Sequence, residues 1–356
     1  MPDRFLSALG GGALGVAAMG GRSTMRHSVI IGKFLPFHRG HAHLIERGQA
    51  LCDRLTVIVF STPWEPIPGS ARAASVAELF PDVRVVHEVA DHPDPYDDRT
   101  WDYWVWALRR VAPDADTLIT SEGYGDEYAR RLGMGHVCVD QGRQAVPISG
   151  TLIREDPIRH WDQLTPGMRP FFVRRVVAVG AESTGKTTLC QRLADDFGTE
   201  WVPEYGREFL EAKGEGTGKA LCEYWDLLTI AQEQARREDA AARRANRVLL
   251  CDTDLMVTDA FGAFYFGGGP PEVREMADQR ARLYSLHLLL STQNTWIDDG
   301  TRDCAESDRE WFQGRYRSEL RWRRQRFVEL PGGEAGYTEA KRALEDLVSS
   351  STIQRQ

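Results

Sequence analysis

Four stretches of the chain carry residue types suited to chemistry on phosphates. In GAESTGKT, Gly180 to Thr187, two glycines are separated by four residues and are followed by lysine and threonine. In this G-x-x-x-x-G-K-[ST] spacing the backbone N–H groups of a tight loop (Gly180, Glu182, Ser183, Thr184, Gly185) wrap an anion at a helix N-terminus. Lys186 adds charge for the terminal phosphates, Thr187 a hydroxyl for Mg²⁺, and Thr188 follows in the helix. The second stretch, GKFLPFHRGH (Gly32 to His41), sets His38 and His41 three residues apart at a helix start, so both rings face one object. Gly40 allows that object near the backbone, and Gly32, Lys33 and Phe34 precede it in the same loop. The third, ISGTLIR (Ile148 to Arg154), offers the hydroxyls of Ser149 and Thr151 and the guanidinium of Arg154 at another helix start. The fourth, RVLLCDTDLM, is an apolar run ending in Asp252 and Asp254, suited to holding Mg²⁺ or an acceptor hydroxyl. EYGRE upstream adds Glu204, Tyr205 and Arg207. Rival readings exist for three of the stretches: a glycine turn without a ligand, a zinc site or satisfied surface residues at the histidines, helix caps at the aspartates. No other His/Cys cluster supplies a third zinc ligand at a telling spacing.

These residues need particular elements beneath them. Val173–Gly180 reads as a buried strand and Thr187–Gly198 as an amphipathic helix stopped by glycine. Val29–Ile31 reads as a strand, followed by a turn at Gly32, an extended loop and a helix. From Ser28 onward strand-like and helix-like segments alternate, which implies parallel α/β sheets. A phosphate loop usually follows the first strand of its domain, so its position in mid-chain predicts a second domain. The expected organisation is a disordered extension over 1–25, a first domain over 26–170 and a second over 171–350. Asp156–Arg175, with prolines at 157, 166 and 170, is expected to be a helical hinge between them. A long helix is expected from about Gly218 to Asn246, leading into the strand before Asp252.

Composition sets the outer limits. The chain has 356 residues, 42% of them hydrophobic and 27% charged, as in ordinary globular proteins of two domains. A formal net charge of −8 argues against a general nucleic-acid or membrane surface. Lysine is confined to Lys33, Lys186, Lys213, Lys219 and Lys341, two of which fall inside the phosphate stretches. The cysteines at 52, 138, 190, 222, 251 and 304 show neither C-x-x-C nor zinc spacing, and are read as reduced thiols of a cytoplasmic protein. The glycine-broken segment FLSALGGGALGVAAMGG is read as an extension in preference to a targeting peptide. WDYWVW (Trp101–Trp106) reads as a core helix, with a second reading in which one aromatic, Trp104, stacks on a flat ring.

GKFLPFHRGH and ISGTLIR together resemble the two signatures of the nucleotidyltransferase superfamily with the H-x-G-H motif. The order EYGRE, CDTD, NTWIDDGTRD, together with TSEGYGDE and RPFFVRRV, resembles the NadR family over about Arg26 to Leu347. That resemblance implies a Rossmann-like adenylyltransferase followed by a P-loop kinase, both doubly wound α/β domains. It implies ATP and Mg²⁺ as cofactors, with ribosylnicotinamide and nicotinamide mononucleotide as substrates. His38, His41, Lys33 and Arg154 would hold ATP phosphates in the first domain. Lys186 and Thr187 would do so in the second, with Glu204, Asp252 and Asp254 as unranked candidates for base or metal ligand. Trp296, Asp299 and Arg302 would meet the nucleoside and the phosphates, with Trp296 stacked on the pyridinium. Family members with an N-terminal DNA-binding domain repress genes; no room for such a domain is expected before Ser28, and no nucleic-acid or membrane partner is expected. A homo-oligomer stays open. The alternative reading keeps the kinase and makes the first domain a non-catalytic sensor of NAD or ATP.

Overall fold

A computed structural model describes residues 26–89, 98–214, 222–292 and 306–349, so the expected extension at 1–25 lies outside the described residues. The first unit runs β1 (His27–Gly32), α1 (Arg39–Gln49), β2 (Arg54–Ser61), α2 (Gly69–Leu79), β3 (Arg84–Val89), α3 (Asp98–Val111), β4 (Thr117–Thr120), α4 (Gly125–Leu132), β5 (Gly135–Cys138) and α5 (Gly150–Glu155). Its strands are parallel in the order β3-β2-β1-β4-β5. Parallel strands with helices on both faces must be apolar on both sides, and Val29, Ile30, Val57, Ile58 and Val59 are fully buried. Winding reverses between β1 and β4, which opens a crevice beyond their C-terminal ends. Gly32 and Thr120 end those two strands, so the loops that begin with Lys33 and Ser121 face each other there.

The second unit runs β6 (Arg174–Val179), α6 (Lys186–Phe197), β7 (Trp201–Val202), α7 (Tyr205–Lys213), α8 (Asp226–Ala242), β8 (Val248–Asp252), α9 (Leu255–Phe266), α10 (Pro271–Ala281), β9 (Tyr284–Leu290), α11 (Glu306–Trp322), β10 (Phe327–Leu330) and α12 (Gly333–Ser349). These strands are also parallel, in the order β10-β9-β6-β8-β7. β6 lies at the centre, so its following loop opens at the switch point between β8 and β9. All six residues of β6 are buried, including two arginines. Arg175 is tolerated because it pairs with Glu238 at 3.2 Å and Asp239 at 2.9 Å. The fold is therefore two doubly wound α/β units, as expected.

Local expectations differ in three places. The long helix expected over 218–246 is α8, seventeen residues from Asp226 to Ala242, with α7 ahead of it. The EYGRE stretch, which reads as the end of a strand at Glu204, follows a strand of only two residues, Trp201–Val202, and Glu204 occupies the N-cap position of α7. The expected helical hinge is two single 3₁₀ turns, Trp161–Gln163 and Arg169–Phe171, because prolines at 166 and 170 deny the N–H groups a continuous helix needs. This connector is also packed: Ile158, Trp161, Leu164 and Met168 are buried in a core that reaches from Ile30 and Phe37 to Val177 and Leu249. No helix among the described residues is long and apolar enough to cross a membrane.

Candidate active sites

A cleft of about 430 Å³ lies at the β1/β4 switch point. It is lined by every first-unit candidate of the two phosphate stretches: Gly32, Lys33, Phe34, His38, Gly40, His41, Ser149, Thr151 and Arg154. His38 is the N-cap of α1, and its Nδ1 accepts from the backbone N–H of Gly40 at 3.1 Å and of His41 at 3.4 Å. An accepting Nδ1 places the single proton of the neutral ring on Nε2. The His41 ring stacks on that of His38, with centroids 3.7 Å apart and planes 23° from parallel. Phe34, itself buried, supports His41 edge-on at 4.9 Å. Burial lowers His38 to about 4, with Arg143 pushing in the same direction. His41 is lowered well below its ordinary value, first by burial and then by His38 and Arg143. Both imidazoles are therefore neutral at pH 7 and contribute hydrogen-bond donors, with the fixed charge coming from elsewhere.

That charge comes from three cations, each held by a different partner. Lys33 Nζ pairs with Glu65 at 3.2 Å. Glu65 in turn binds the fully buried Arg72, which also donates to the Lys33 carbonyl. Arg154 donates to the Leu35 carbonyl and, at 3.1 Å, to Thr151 Oγ1. Gly150 lets this happen: a Cβ there would lie 2.5 Å from the Leu35 oxygen and 3.2 Å from Arg154 Nη1. The two signature loops are thus stitched together across one glycine. Ser149 Oγ caps α5 by accepting from Leu152 N at 3.2 Å. Arg143 pairs with Glu122 at 2.8 Å across the cleft mouth. Its loop is held by Asp140, which accepts from Gln144 N at 2.7 Å and Ala145 N at 3.1 Å, and both Asp140 and Arg143 have positive φ. Arg143, Glu65, Arg72 and Gly150 are absent from the residues read from sequence. Position alone hinted at Glu122, in the loop after a strand; Arg143 had only its closeness to ISGTLIR.

The second site lies at the β6 switch point. Gly185 has φ +90°, a conformation that L side chains rarely adopt, and Ser183 is also left-handed at φ 55°. Thr184 Oγ1 donates to Ala181 O at 2.9 Å and closes the loop. Lys186 Nζ donates to the carbonyls of Gly180 and Ala181, both at 3.1 Å, so the ammonium lies over the cradle. Thr187 Oγ1 donates to Asp252 Oδ2. Asp252 is 1% exposed and its Oδ1 is buried without a hydrogen-bond partner. Burial pushes its carboxyl up, Lys186 pulls it down, and Glu204 pushes it up again, with Thr187 and Arg207 pulling down. Lys186, Thr187, Asp252, Glu204 and Arg207 therefore share one electrostatic neighbourhood. A buried, half-satisfied carboxylate oxygen beside a hydroxyl and a second carboxylate suits a hard divalent cation. Glu182 and Thr188 flank the cradle, one in the loop and one in the first turn of α6.

Other candidates go elsewhere. Asp254, expected beside Asp252, caps α9 by accepting from Val257 N at 3.2 Å and binds His287 Nε2 at 3.1 Å. Residues two apart in a continuing strand would share a face, but β8 ends at Asp252 and left-handed Thr253 turns the chain into the cap of α9, so the Asp254 side chain is directed elsewhere. Trp104 does not line the first cleft: it packs edge-on against Phe60 at 4.2 Å, and its carbonyl accepts from Tyr128 at 2.7 Å. Tyr205 lies at the start of α7, with Arg237 over its ring at 4.4 Å and its N–H donated to Gln234 at 2.9 Å. Trp296, Asp299 and Arg302 lie outside the described residues.

The chain is similar to known proteins in sequence and in fold. The family model described as "AAA domain" matches residues 175–337. The trifunctional NAD biosynthesis/regulator protein NadR of Escherichia coli (strain K12) is 33% identical over 308 residues, covering 80% of this chain and 74% of that protein. The protein of the same name from Salmonella typhimurium is 33% identical over 306 residues, with the same coverage of 80% and 74%. A crystal structure of a NadR protein in complex with NR matches with a TM-score of 0.74 at 23% identity, covering 94% of this chain and 99% of that one. A second, of a NadR protein in complex with NAD and AMP-PNP, matches with a TM-score of 0.72 at 23% identity over 94% and 98%. The two structures share the fold across both units, and the two sequence relatives settle the lineage: the chain belongs to the NadR family.

Proposed function

We propose that the chain makes NAD in two steps at two separate sites. Residues 171–350 phosphorylate ribosylnicotinamide with ATP, and residues 26–170 join the resulting mononucleotide to a second ATP. In the first step the 5′-hydroxyl oxygen attacks the γ-phosphorus and ADP leaves. The Gly180–Gly185 backbone and Lys186 hold the phosphates, and Arg207 lies close enough to add charge. Glu204, at the start of α7 and in the electrostatic neighbourhood of Asp252, takes the hydroxyl proton, whereas Asp254 caps α9 and binds His287. Tyr205 and Arg207 border the nucleoside. Thr187 and Asp252 would hold Mg²⁺, and the orphaned Asp252 Oδ1 is the feature of this chain that fits it. When bound, that ion neutralises charge on the transferring group.

In the second step a phosphate oxygen of the mononucleotide attacks the α-phosphorus of ATP and the bond to pyrophosphate breaks. The nucleophile is already an anion, so this site needs donors and cations but no base. His38 Nε2–H, His41, Lys33, Arg154 and Arg143 supply them. The single observation that carries the reading is this convergence of two neutral imidazoles and three cations on one cleft, apart from a complete P-loop in a different sheet. The ligands proposed are small molecules, in the cytoplasm, where free thiols such as Cys52 and Cys138 persist. The purified chain should release pyrophosphate and form NAD from ATP and nicotinamide mononucleotide, and form ADP from ATP and ribosylnicotinamide. Binding of ATP or NAD at the first cleft without pyrophosphate release would leave a sensor in its place.

A further inference from the structure

Thr165 belongs to no phosphate motif, yet it touches the loop that carries one. It lies buried in the connector, and its Oγ1 donates to the Phe37 carbonyl at 3.2 Å. Ser75 Oγ, from α2, lies 3.1 Å from Thr165 Oγ1. With the Thr165 proton spent on Phe37, the Ser75 hydroxyl donates to Thr165, and the three groups form one buried relay. Next to it, Leu164 forms an isolated antiparallel bridge with His38. The His38 ring is tied to α1 through Nδ1, and the backbone that bears the ring is tied to the connector. On its other side the connector is anchored to the second unit: Arg247, just ahead of β8, donates to Ile158 O at 3.1 Å and pairs with Asp162 at 3.4 Å.

We propose that Thr165 is a positioning residue for His38, and that the connector thereby completes the first active site. The proposal rests on reading the first cleft as the adenylyl-transfer site. Small displacements of a positioned donor cost rate out of proportion to their size. Valine at 165 keeps the shape but leaves the Phe37 oxygen and the Ser75 hydroxyl buried without partners.

The test compares Thr165→Val with Thr165→Ser in the full chain, with kinase activity in the same preparation as an internal control. Thr165→Val should lower kcat for adenylyl transfer about tenfold, with KM for ATP and mononucleotide changed less than about twofold and the kinase unaffected. Thr165→Ser should recover most of the loss. In the same pair, the ring ¹³C–¹H resonance of His38, assigned with His38→Gln, should move with valine and return with serine. An unchanged kcat and an unmoved His38 resonance in Thr165→Val, even with a lower melting temperature, would overturn the proposal. So would a serine variant as impaired as valine, which would make volume the cause. If Thr165→Val does not fold, Thr165→Ala gives the same contrast with serine. Absence of pyrophosphate release by the wild-type chain would sink the functional reading instead, and the His38 resonance would then decide the positioning claim alone.

Discussion

The two phosphate sites differ in how they hold their charge. In the first, Lys33 rests on Glu65 and Arg143 on Glu122, while the stacked imidazoles are neutral. In the second, Lys186 rests on carbonyls of its own loop, and the notable groups are carboxylates, Asp252 and Glu204, close enough to oppose one another. On the proposed function, the nucleophiles explain the contrast. A mononucleotide phosphate reaches the first site already ionised and needs only cations and donors around it. A ribose hydroxyl reaches the second site with its proton, so that site must offer a carboxylate and a place for a metal ion. On that proposal the acid–base equipment follows the nucleophile, although ATP is common to both sites.

The largest expected effect breaks one side of this comparison only. Lys186→Ala removes the sole cation of the P-loop, and should lower kinase kcat/KM by a factor on the order of 10³, roughly 4 kcal/mol of transition-state stabilisation. Adenylyl transfer to supplied mononucleotide, followed by pyrophosphate release, should stay within about twofold of wild type in the same variant. Asp252→Asn comes next. It keeps the shape and removes the charge proposed to face the metal, so kinase activity should fall about 10²-fold and demand far more Mg²⁺ to saturate. An Mg²⁺ titration identical to wild type would assign Asp252 to structure alone.

On the other side, Arg143→Ala removes a cation that belongs to neither signature motif. Adenylyl transfer should weaken about tenfold, mainly in KM, while the kinase is unaffected. An unaltered KM would leave Arg143 as a partner for Glu122 only. The smallest effect concerns stability. His38 is buried and its folded value, about 4, lies below the ordinary 6.5. Below pH 6.5 the unfolded chain therefore takes up a proton that the folded chain refuses. Stability should fall as pH drops from about 6.5 to about 4, by on the order of 3 kcal/mol from this residue, with His41 adding in the same direction. Urea midpoints between pH 7 and 5 would check this; His38→Gln should flatten the slope.

What was legible in the sequence was what phosphate chemistry confines to a few adjacent residues. Gly180 to Thr187, His38 with His41, and Ser149 with Arg154 fold into their sites through helix starts that local spacing specifies. Groups brought in by tertiary contact were not legible. Glu65 and Arg72 reach Lys33 across the sheet edge, and Arg143 meets Glu122 only because β4 and β5 lie side by side. Asp254 looked equivalent to Asp252, since a D-x-D pattern does not reveal which carboxylate faces the loop; its partner His287 lies on another strand, β9. Trp104 misled for a related reason, because an aromatic-rich helix leaves open which ring faces core and which faces ligand. The connector read as a hinge from its prolines, whereas burial of Trp161, Leu164 and Met168 makes it part of the core.

The central claim, two complete and chemically separate sites in one chain, is tested most directly by mixing two variants that each lack one activity. Lys186→Ala should make NAD from mononucleotide but not from ribosylnicotinamide. His41→Ala should make mononucleotide from ribosylnicotinamide but convert little of it further. Neither alone should carry ribosylnicotinamide through to NAD, whereas an equimolar mixture with ATP should, because the mononucleotide diffuses from one molecule to the other. If each variant, still folded, lost both activities and the mixture stayed inactive, the sites would be shared or strictly coupled, and the account of two independent enzymes would be contradicted.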